Sequence, residues 1–330
     1  MVHVVVTGGA GFIGARLARE LLAAGTLSVA GDEPRPLSRL TIIDRAPAPP
    51  DLAADGRVSS VTGDLTALLA ASAPGSGVLA GADVIFHLAA AVSAECEADF
   101  DLGMHANLAA TQALLAACRA LGTCPVVVYT SSLAVFGGSA EHPLPAVVGD
   151  HTLPNPQTSY GTQKVIGEFL LADYTRKGFL RGRAIRPVTI SVRAGRPNAA
   201  ASGFLSGIIR EPLDGLRASC PVEPTTEVAL ASPHKAVTAL LCAAISSERE
   251  WGDSTAVTMP ALTVTVAEMA DALARVAGPE VADLIDWVPD PVIAGIVTGW
   301  PAHVRSDRAA RLGLTPDPDF DSVIRRYLAE

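Results

Sequence analysis

Short apolar runs alternate with amphipathic stretches along most of the chain. The first run, residues 2–6, has Val at four of its five positions and predicts a buried strand, and residues 12–24 predict the helix that follows it. Further strands are predicted at residues 40–44, 58–65, 83–90, 126–130 and 254–259. Because these apolar strands alternate with helices, the pattern predicts an α/β fold with a doubly wound parallel sheet.

Helical periodicity predicts most of the remaining elements. Helices are expected at residues 66–82, 95–121, 160–177, 263–277 and 307–328, and residues 228–241 predict a strand followed by a helix. Asn107 interrupts the apolar face of the long helix at 95–121. A buried Asn at such a position serves as a structural hydrogen-bonding group or holds a water molecule.

Three glycines, Gly8, Gly11 and Gly14, lie where the first strand meets the first helix. Gly8 allows a tight turn, Gly11 lets the backbone approach a diphosphate, and Gly14 lets the helix pack close to the strand. The free amides at the start of the helix then bind the diphosphate. Any tight strand-to-helix turn can use glycine, but a strand and a helix on either side of this triplet predict dinucleotide binding.

Acidic residues follow the second and third predicted strands. Asp44 is placed to bind the adenosine ribose hydroxyls, although it lies about thirty residues beyond Gly14, which predicts an extended loop before its strand. An acid there repels a 2′-phosphate and favours NAD over NADP, whereas the adjacent Arg45 is able to accept such a phosphate. The alternative is an ordinary strand-end carboxylate. Asp64 is placed to accept a hydrogen bond from the adenine amino group.

Tyr160 and Lys164 begin a predicted helix and share one of its faces, because they are four residues apart. A phenol has a pKa of about 10, so a base that acts near neutral pH needs a lowered pKa. The Lys164 ammonium and the positive nicotinamide ring are the available sources of that shift. Ser132, after the fifth strand, is expected to align the substrate oxygen with the phenol. The Tyr-x-x-x-Lys spacing also occurs by chance in many helices. The catalytic interpretation therefore depends on the glycine turn after the first strand and on Ser132 at a strand end.

Composition narrows the class of protein. The chain has 330 residues, of which 49% are hydrophobic, and its net charge of −9 is not concentrated in any block. This balance offers no electrostatic case for binding nucleic acid or a membrane surface. The first strand begins at once, which argues against a signal peptide and favours a cytoplasmic protein. The five cysteines and seven histidines form no metal-ligand spacing, so no catalytic metal is expected.

Taken together, these motifs resemble the extended short-chain dehydrogenase/reductase family, which includes NAD-dependent epimerases and dehydratases. The matching segments are residues 7–14, Asp44, residues 63–65, 87–90, Asn107, residues 132–137, 160–164 and 186–187. The resemblance implies a Rossmann-type fold, NAD as the cofactor, and Ser132, Tyr160 and Lys164 as the catalytic triad. It also implies that Asn107 holds a water in a proton relay to Lys164. Phe136 and Gln163 depart from the usual Tyr and Ser of the family.

The same resemblance implies the cofactor contacts and the domain organisation. The residues expected to bind NAD are Gly8, Gly11, Phe12, Ile13, Asp44, Asp64, Leu65, Leu88, Ala89, Ala90, Tyr160, Lys164, Pro187 and Thr189. An NAD-binding domain is expected at residues 1–190 plus 228–260, and a smaller, mostly helical substrate-binding domain at residues 191–227 plus 261–330. The family also implies a homodimer through the helices at 95–121 and 160–177.

Residues 193–212 are expected on the substrate side. Asn198 is a good N-cap whose following small residues leave the first-turn amides open to a carboxylate, unless it simply caps an ordinary helix. This run and residues 89–101 resemble a subgroup of the family that oxidises the C2 hydroxyl of D-erythronate, a small sugar acid, with NAD. On that resemblance Ser93, Ser132, Tyr160, Arg193 and Asn198 face the substrate, and Arg193 pairs with its carboxylate.

Two other functions stay open from the sequence. A nucleotide-sugar epimerase or dehydratase on the same scaffold would retain its NAD through each turnover, but only 5% of residues are aromatic and no cluster suited to base stacking is evident. A non-catalytic NAD-binding regulator is the other alternative. The intact set of Ser132, Tyr160 and Lys164 counts against it.

Overall fold

The structure, a computed structural model, describes residues 1–71, 77–195 and 201–330. Its strands are β1 Val2–Thr7, β2 Thr26–Leu27, β3 Arg35–Asp44, β4 Val58–Thr62, β5 Val84–His87, β6 Val126–Thr130, β7 Val148–Gly149, β8 Arg181–Arg186, β9 Thr189–Ile190, β10 Ala218–Cys220, β11 Glu227–Ala231, β12 Val257–Thr258, β13 Leu262–Thr265, β14 Ile285–Trp287 and β15 Val304–Arg305.

The helices are α1 Phe12–Ala24, α2 Pro50–Ala53, α3 Leu65–Ala70, α4 Ser93–Ala98, α5 Phe100–Gly103, α6 Ala110–Leu121, α7 Ser159–Arg176, α8 Phe204–Leu213, α9 Pro233–Ile245, α10 Glu248–Trp251, α11 Val266–Ala277, α12 Pro279–Ala282, α13 Pro291–Thr298, α14 Asp307–Arg311 and α15 Phe320–Leu328. A π-helix spans Met104–Ala109, and short 3-10 helices span Leu133–Val135 and Ala201–Gly203. None of the helices in these described ranges combines the length and apolar character that crossing a membrane requires.

The main sheet is parallel from edge to edge in the order β4-β3-β1-β5-β6-β8-β12, with β2 antiparallel to the start of β3. All six residues of β1 are buried, as expected of a central strand covered on both faces. The chain order reverses between β3 and β5, on either side of β1. Ligands of such sheets bind at the carboxyl ends of the strands beside that reversal. The predicted doubly wound fold is confirmed.

β3 starts earlier than the sequence suggests. The predicted strand at 40–44 is the buried end of a strand that begins at Arg35. Its first residues, Arg35 and Pro36, pair antiparallel with Leu27 and Thr26. A proline is tolerated there because the pairing lies at the margin of the sheet. The loop expected before the strand at 40–44 therefore contains a small hairpin, formed by β2 and the start of β3.

The single helix predicted at 95–121 is wrong. The segment folds as α4, α5, the π-helix and α6, because Asp99 is extended and its side chain accepts a hydrogen bond from the Leu102 amide (2.9 Å), which starts a new helix. The π-helix then places Asn107, whose side chain is bonded to both the backbone N–H and the carbonyl of Ala91 (2.8 and 3.2 Å). The wider turn of the π-helix thus accompanies a contact with the segment that follows β5.

Three other predicted helices are shorter than expected. The segment at 66–82 contains α3, which ends at Ala70, and residues 72–76 lie outside the described residues. The segment at 263–277 begins as β13 and becomes helical only after Thr265, which forms a capping box with Glu268. The segment at 307–328 is divided into α14 and α15 by a loop that contains the buried Asp317.

Two hydrophobic clusters meet at β11. Ala229 and Ala231 face the cluster that includes β1, α1 and α9, while Val228 and Leu230 face the cluster built on α8, α11 and α15. This alternation follows from the two-residue period of a strand. β11 pairs with β9 and β13 in a separate three-stranded sheet, which spans the predicted domain boundaries at 190 and 260. The division into two domains at those residues stays a prediction.

The buried ion pair between Glu168 and Arg186 joins α7 to β8, with 2.6 Å between Glu168 Oε2 and Arg186 Nη2. We predict that Glu168→Gln lowers the free energy of unfolding by about 3–5 kcal/mol, because it leaves a buried guanidinium without its counter-charge. The exposed pair of Asp173 and Arg176 on the same helix provides the control. There Asp173→Asn should cost less than about 1 kcal/mol in urea unfolding. Equal losses for the two variants would contradict the prediction.

Candidate functional site

The turn between β1 and α1 has the geometry that its glycines predict. Gly8 has φ +71°, and a Cβ on it would lie 2.7 Å from the backbone nitrogen of Ala89. A Cβ on Gly14 would collide with the carbonyl oxygen of Gly8. Gly11 is the N-cap of α1 and has no side chain to fill the space before the helix. The turn therefore keeps the first amides of α1 accessible.

A groove of about 340 Å³ runs from this turn along the carboxyl ends of β1, β3, β4 and β5. The predicted cofactor residues that line it are Gly8, Gly11, Asp44, Asp64, Leu65, Leu88, Ala89 and Ala90. Phe12 lines a neighbouring pocket instead. The remaining predicted residues line neither pocket: Ile13, Tyr160, Lys164, Pro187 and Thr189. Leu102, Ala106 and Glu95 also line the groove. Leu102 and Ala106 were missed because the new helix that starts after Asp99 was not recognised, although an Asp before an apolar turn is a typical N-cap signal.

The two acids predicted to bind the cofactor, Asp44 and Asp64, already accept hydrogen bonds from other residues of the protein. Asp44 accepts hydrogen bonds from the backbone amides of Ala10 (3.0 Å) and Ala46 (3.1 Å), one on each oxygen. Asp64 caps α3 by accepting from the Ala67 amide, which lowers the pKa of its carboxyl, and its other oxygen lies 3.0 Å from His105 Nε2. Each carboxylate oxygen can accept a further bond. Binding of ribose by Asp44 and of adenine by Asp64 stays a prediction.

These residues fit a dinucleotide such as NAD. A Cβ at Gly8 would fill the turn, α1 presents free amides beside Gly11, and the carboxylate of Asp44 is oriented at the end of the adjacent strand. The diphosphate would lie on the amides and the ribose hydroxyls on Asp44. The groove reaches the segment that follows β5, and the neighbouring strand β6 leads to the predicted catalytic residues.

Ser132, Tyr160 and Lys164 come together at the end of β6. Ser132 follows the strand and accepts a hydrogen bond from the Ala134 amide (3.1 Å). Tyr160 is the second residue of α7, and Lys164, one turn later, donates from Nζ to the carbonyl of Thr130 (2.8 Å). The Lys164 ammonium lies 5.6 Å from the centre of the Tyr160 ring. Tyr160 and Lys164 therefore share one face of α7, as predicted.

Burial dominates the electrostatics of this cluster. It raises the pKa of the Tyr160 phenol to about 12, an effect opposed by Ser132 and by the positive charge of Arg193. It lowers the pKa of Lys164 to about 8, opposed by Cys96 and Glu168. Desolvation of the phenol outweighs the charges around it in the protein alone. The lowering of the phenol pKa by Lys164 together with the nicotinamide ring stays a prediction. The contribution of Arg193 was missed because it lies far from Tyr160 in the sequence.

Asn107 belongs to a buried network beside the triad. Its amide nitrogen donates to Gln163 Oε1 (2.8 Å) and to Cys96 Sγ (3.2 Å), in addition to its bonds with the Ala91 backbone. Within the described ranges, no hydrogen bond joins Asn107 to Lys164. The proton relay implied for Asn107 thus stays a prediction. His87, in contrast, is a core residue whose ring nitrogens face Thr7 and Thr111 (2.7 and 3.0 Å).

The predicted substrate residues are brought together only in part. Arg193 is half-buried and its charge interacts with Tyr160. Ser93 is the first residue of α4, also half-buried, and no hydrogen bond among the described residues joins it to Ser132, Tyr160 or Lys164. Asn198 lies outside the described residues. The roles of Ser93 and Asn198 toward a substrate stay predictions.

Comparison with known proteins identifies the family. The model of the NAD dependent epimerase/dehydratase family matches residues 4–257, which include the glycine turn, the groove and the triad. The chain belongs to this family. Membership confirms both the resemblance expected from the sequence and NAD as the cofactor. Among the described residues of this family member, no group of three or more His, Cys, Asp or Glu side chains is arranged to hold a metal ion.

Similar members of the family cover the whole chain. The D-erythronate dehydrogenase of Cupriavidus necator is 50% identical over 330 residues, which cover 99% of this chain and 98% of the relative. The D-erythronate dehydrogenase of Haemophilus influenzae is 36% identical over 98% of both chains. A solved structure described as a nucleoside-diphosphate-sugar epimerase from Agrobacterium tumefaciens superposes with a TM-score of 0.89 at 40% identity, covering 100% of this chain and 94% of its own.

We predict that Gly8→Ala weakens NAD binding by about tenfold or more, because the added methyl group strains the left-handed backbone and displaces Ala89 from the groove. Gly81 is the matched control, since it has φ +72° but no atom within 4 Å of an added Cβ. Gly81→Ala should lose some thermal stability and keep its NAD affinity. Calorimetric titration of both variants with NAD measures the difference. Equal dissociation constants would show that the close approach at Gly8 does not matter for NAD.

Proposed function

We propose that the chain is an NAD-dependent dehydrogenase that oxidises the C2 hydroxyl of D-erythronate to 2-oxo-tetronate. The observation that carries the proposal is the electrostatic interaction between Arg193 and the Tyr160 phenol: a cation suited to a carboxylate acts on a group suited to an alcohol. The full-length similarity to two D-erythronate dehydrogenases supports the same substrate. A small acid needs both groups close together, since its C2 hydroxyl is adjacent to its carboxylate.

The triad residues have separate roles in the proposed reaction. Ser132 donates a hydrogen bond to the substrate hydroxyl oxygen and aligns it with the phenol. Tyr160 takes the hydroxyl proton as the C2–O bond becomes a carbonyl. NAD, when bound, supplies the acceptor for the hydride that leaves C2, so that the products are the 2-oxo acid, NADH and one proton. Lys164 and Arg193 stabilise the phenolate through their positive charges.

The phenol requires a large shift in its pKa for this role. From about 12 in the protein alone, it must fall by several units, each worth about 1.4 kcal/mol. Lys164 retains a positive charge near neutral pH, because its pKa of about 8 lies above that pH. The positive nicotinamide ring adds to that charge, and the low dielectric of the buried site strengthens both interactions. Burial thus raises the phenol pKa and also strengthens the interactions that lower it.

A nucleotide-sugar epimerase is the second candidate. It is supported by the similarity to the solved structure of the nucleoside-diphosphate-sugar epimerase from Agrobacterium tumefaciens. An epimerase would regenerate its NAD in every cycle, whereas a dehydrogenase releases NADH. A non-catalytic NAD-binding regulator would do neither. Net formation of NADH therefore separates the three.

The proposal is tested by initial rates of NADH or NADPH formation with NAD or NADP. The substrates are D-erythronate, its C2 and C3 epimers, a hexuronate and a UDP-sugar. We expect turnover of D-erythronate with NAD. Conversion of the UDP-sugar without net NADH, and no reaction with any acid, would favour the epimerase instead.

The homodimer and the cytoplasmic location remain proposals. The homodimer would form through α7 and the segment from α4 to α6. Phe169 on α7 and Phe100 on α5 support it, because their side chains are 63% and 59% exposed on neighbouring helices. Apolar side chains exposed together on adjacent helices are typical of an interface.

We predict that Tyr160→Phe lowers kcat with D-erythronate by about 10²–10⁴-fold, since it removes the group that accepts the proton. The NAD dissociation constant should be nearly unchanged because the ring is kept. Tyr174→Phe, on the same helix, is the control and should retain full activity. A Tyr160→Phe enzyme with normal kcat would exclude the proposed base and leave the regulator in consideration.

A further inference from the structure

The backbone of Arg193 is held on both sides by α8. Its amide donates to Ser206 Oγ (3.0 Å), and its carbonyl accepts from Arg210 Nη1 (2.7 Å). Two residues earlier, Ser191 Oγ donates to the carbonyl of Leu205 (2.9 Å). Ser191, Ser206 and Arg210 are all buried. We call this set of hydrogen bonds the α8 clamp.

The two arginines at the clamp, Arg193 and Arg210, differ in whether they form an ion pair. Arg210 has partners at two nitrogens, because Nη1 donates to the Arg193 carbonyl and Nη2 pairs with Glu211. The guanidinium of Arg193 donates to Ser202 Oγ (3.2 Å), and across residues 1–71, 77–195 and 201–330 no carboxylate lies within ion-pair distance of it. Two cations and one paired carboxylate leave an excess positive charge at the clamp, and the charge of Arg193 interacts with Tyr160. Partly buried charge without a counter-ion is unfavourable until an anion binds.

We propose that Arg210 is a positioning residue that fixes Arg193 for the substrate carboxylate, so that the α8 clamp selects acids over uncharged polyols. The inference rests on the proposed function and adds the residues that enforce its substrate class. A planar guanidinium recognises a carboxylate through two parallel hydrogen bonds, which requires a defined orientation. The clamp supplies that orientation by fixing the backbone from which the Arg193 side chain extends.

Arg210 has a second effect through Glu211. Glu211 is paired with Arg210. We expect that the loss of Arg210 releases this carboxylate to compete with the substrate for the Arg193 guanidinium. Loss of Arg210 should therefore weaken acid binding more than loss of a contact that only positions Arg193. Neutralising Glu211 should restore part of the lost affinity for the acid.

The test is steady-state kinetics with D-erythronate and NAD on the full chain. Arg210→Met should raise the KM for D-erythronate by about tenfold or more, the effect of losing a charge-assisted hydrogen bond, with kcat changed less than about threefold. Arg210→Lys should rescue part of this increase. Adding Glu211→Gln to Arg210→Met should lower KM again. Ser206→Ala should raise KM in the same direction by a smaller factor.

Controls separate positioning from simple damage to the fold. Arg217→Met removes an exposed arginine that is paired with Asp286 and should leave every parameter unchanged. The NAD dissociation constant and the thermal midpoint of each variant check its integrity. D-erythronamide provides a further readout, because the wild-type preference for the acid over this uncharged analogue should shrink in Arg210→Met.

These measurements distinguish failure of the proposed function from failure of the inference about Arg210. A wild-type chain that does not oxidise D-erythronate would overturn the proposed function and this inference with it. A wild-type chain that does oxidise it, with an unchanged KM in Arg210→Met, would overturn the inference alone. A fall in kcat and thermal midpoint without a selective rise in KM, or no recovery on adding Glu211→Gln, would assign Arg210 a structural role only.

Discussion

The close packing of α7 against the end of β6 is the contact on which the candidate site depends. Gly161 lies against the carbonyl oxygen of Ala134, and a Cβ there would collide with it. Farther along the helix, Lys164 donates to the Thr130 carbonyl and Glu168 binds both Ser131 and Arg186. These buried polar contacts fix how α7 lies against the strand. Tyr160 is consequently held beside Ser132.

The same packing determines the chemistry of the site. Burial shifts the pKa of Tyr160 and of Lys164 in opposite directions, each toward its neutral form. A site of this kind is poorly suited to act as a base until positive charge accumulates around the phenol. Arg193 belongs to that charge, and the α8 clamp holds it in place. In the proposed reaction, the cofactor and the substrate carboxylate therefore act on one phenol from two different parts of the chain.

The sequence predicts the features that depend on local chemistry. The turn at Gly8 and the shared face of Tyr160 and Lys164 follow from backbone rules and helical spacing. The π-helix around Asn107 could not be predicted, because it depends on hydrogen bonds to Ala91 across the fold. The clamp on Arg193 depends likewise on packing between segments, and the raised phenol pKa depends on burial that no spacing reveals.

In the proposed reaction, a hydride leaves C2 of a sugar acid and stays on the released cofactor. D-erythronate that carries deuterium at C2 tests this most directly, with mass spectrometry of the recovered cofactor and of the acid. We expect deuterium in the reduced nicotinamide, in equal amount to the 2-oxo acid formed, and a normal isotope effect on kcat/KM. Deuterium returned to the acid with an altered C2 configuration, and no reduced cofactor released, would contradict it.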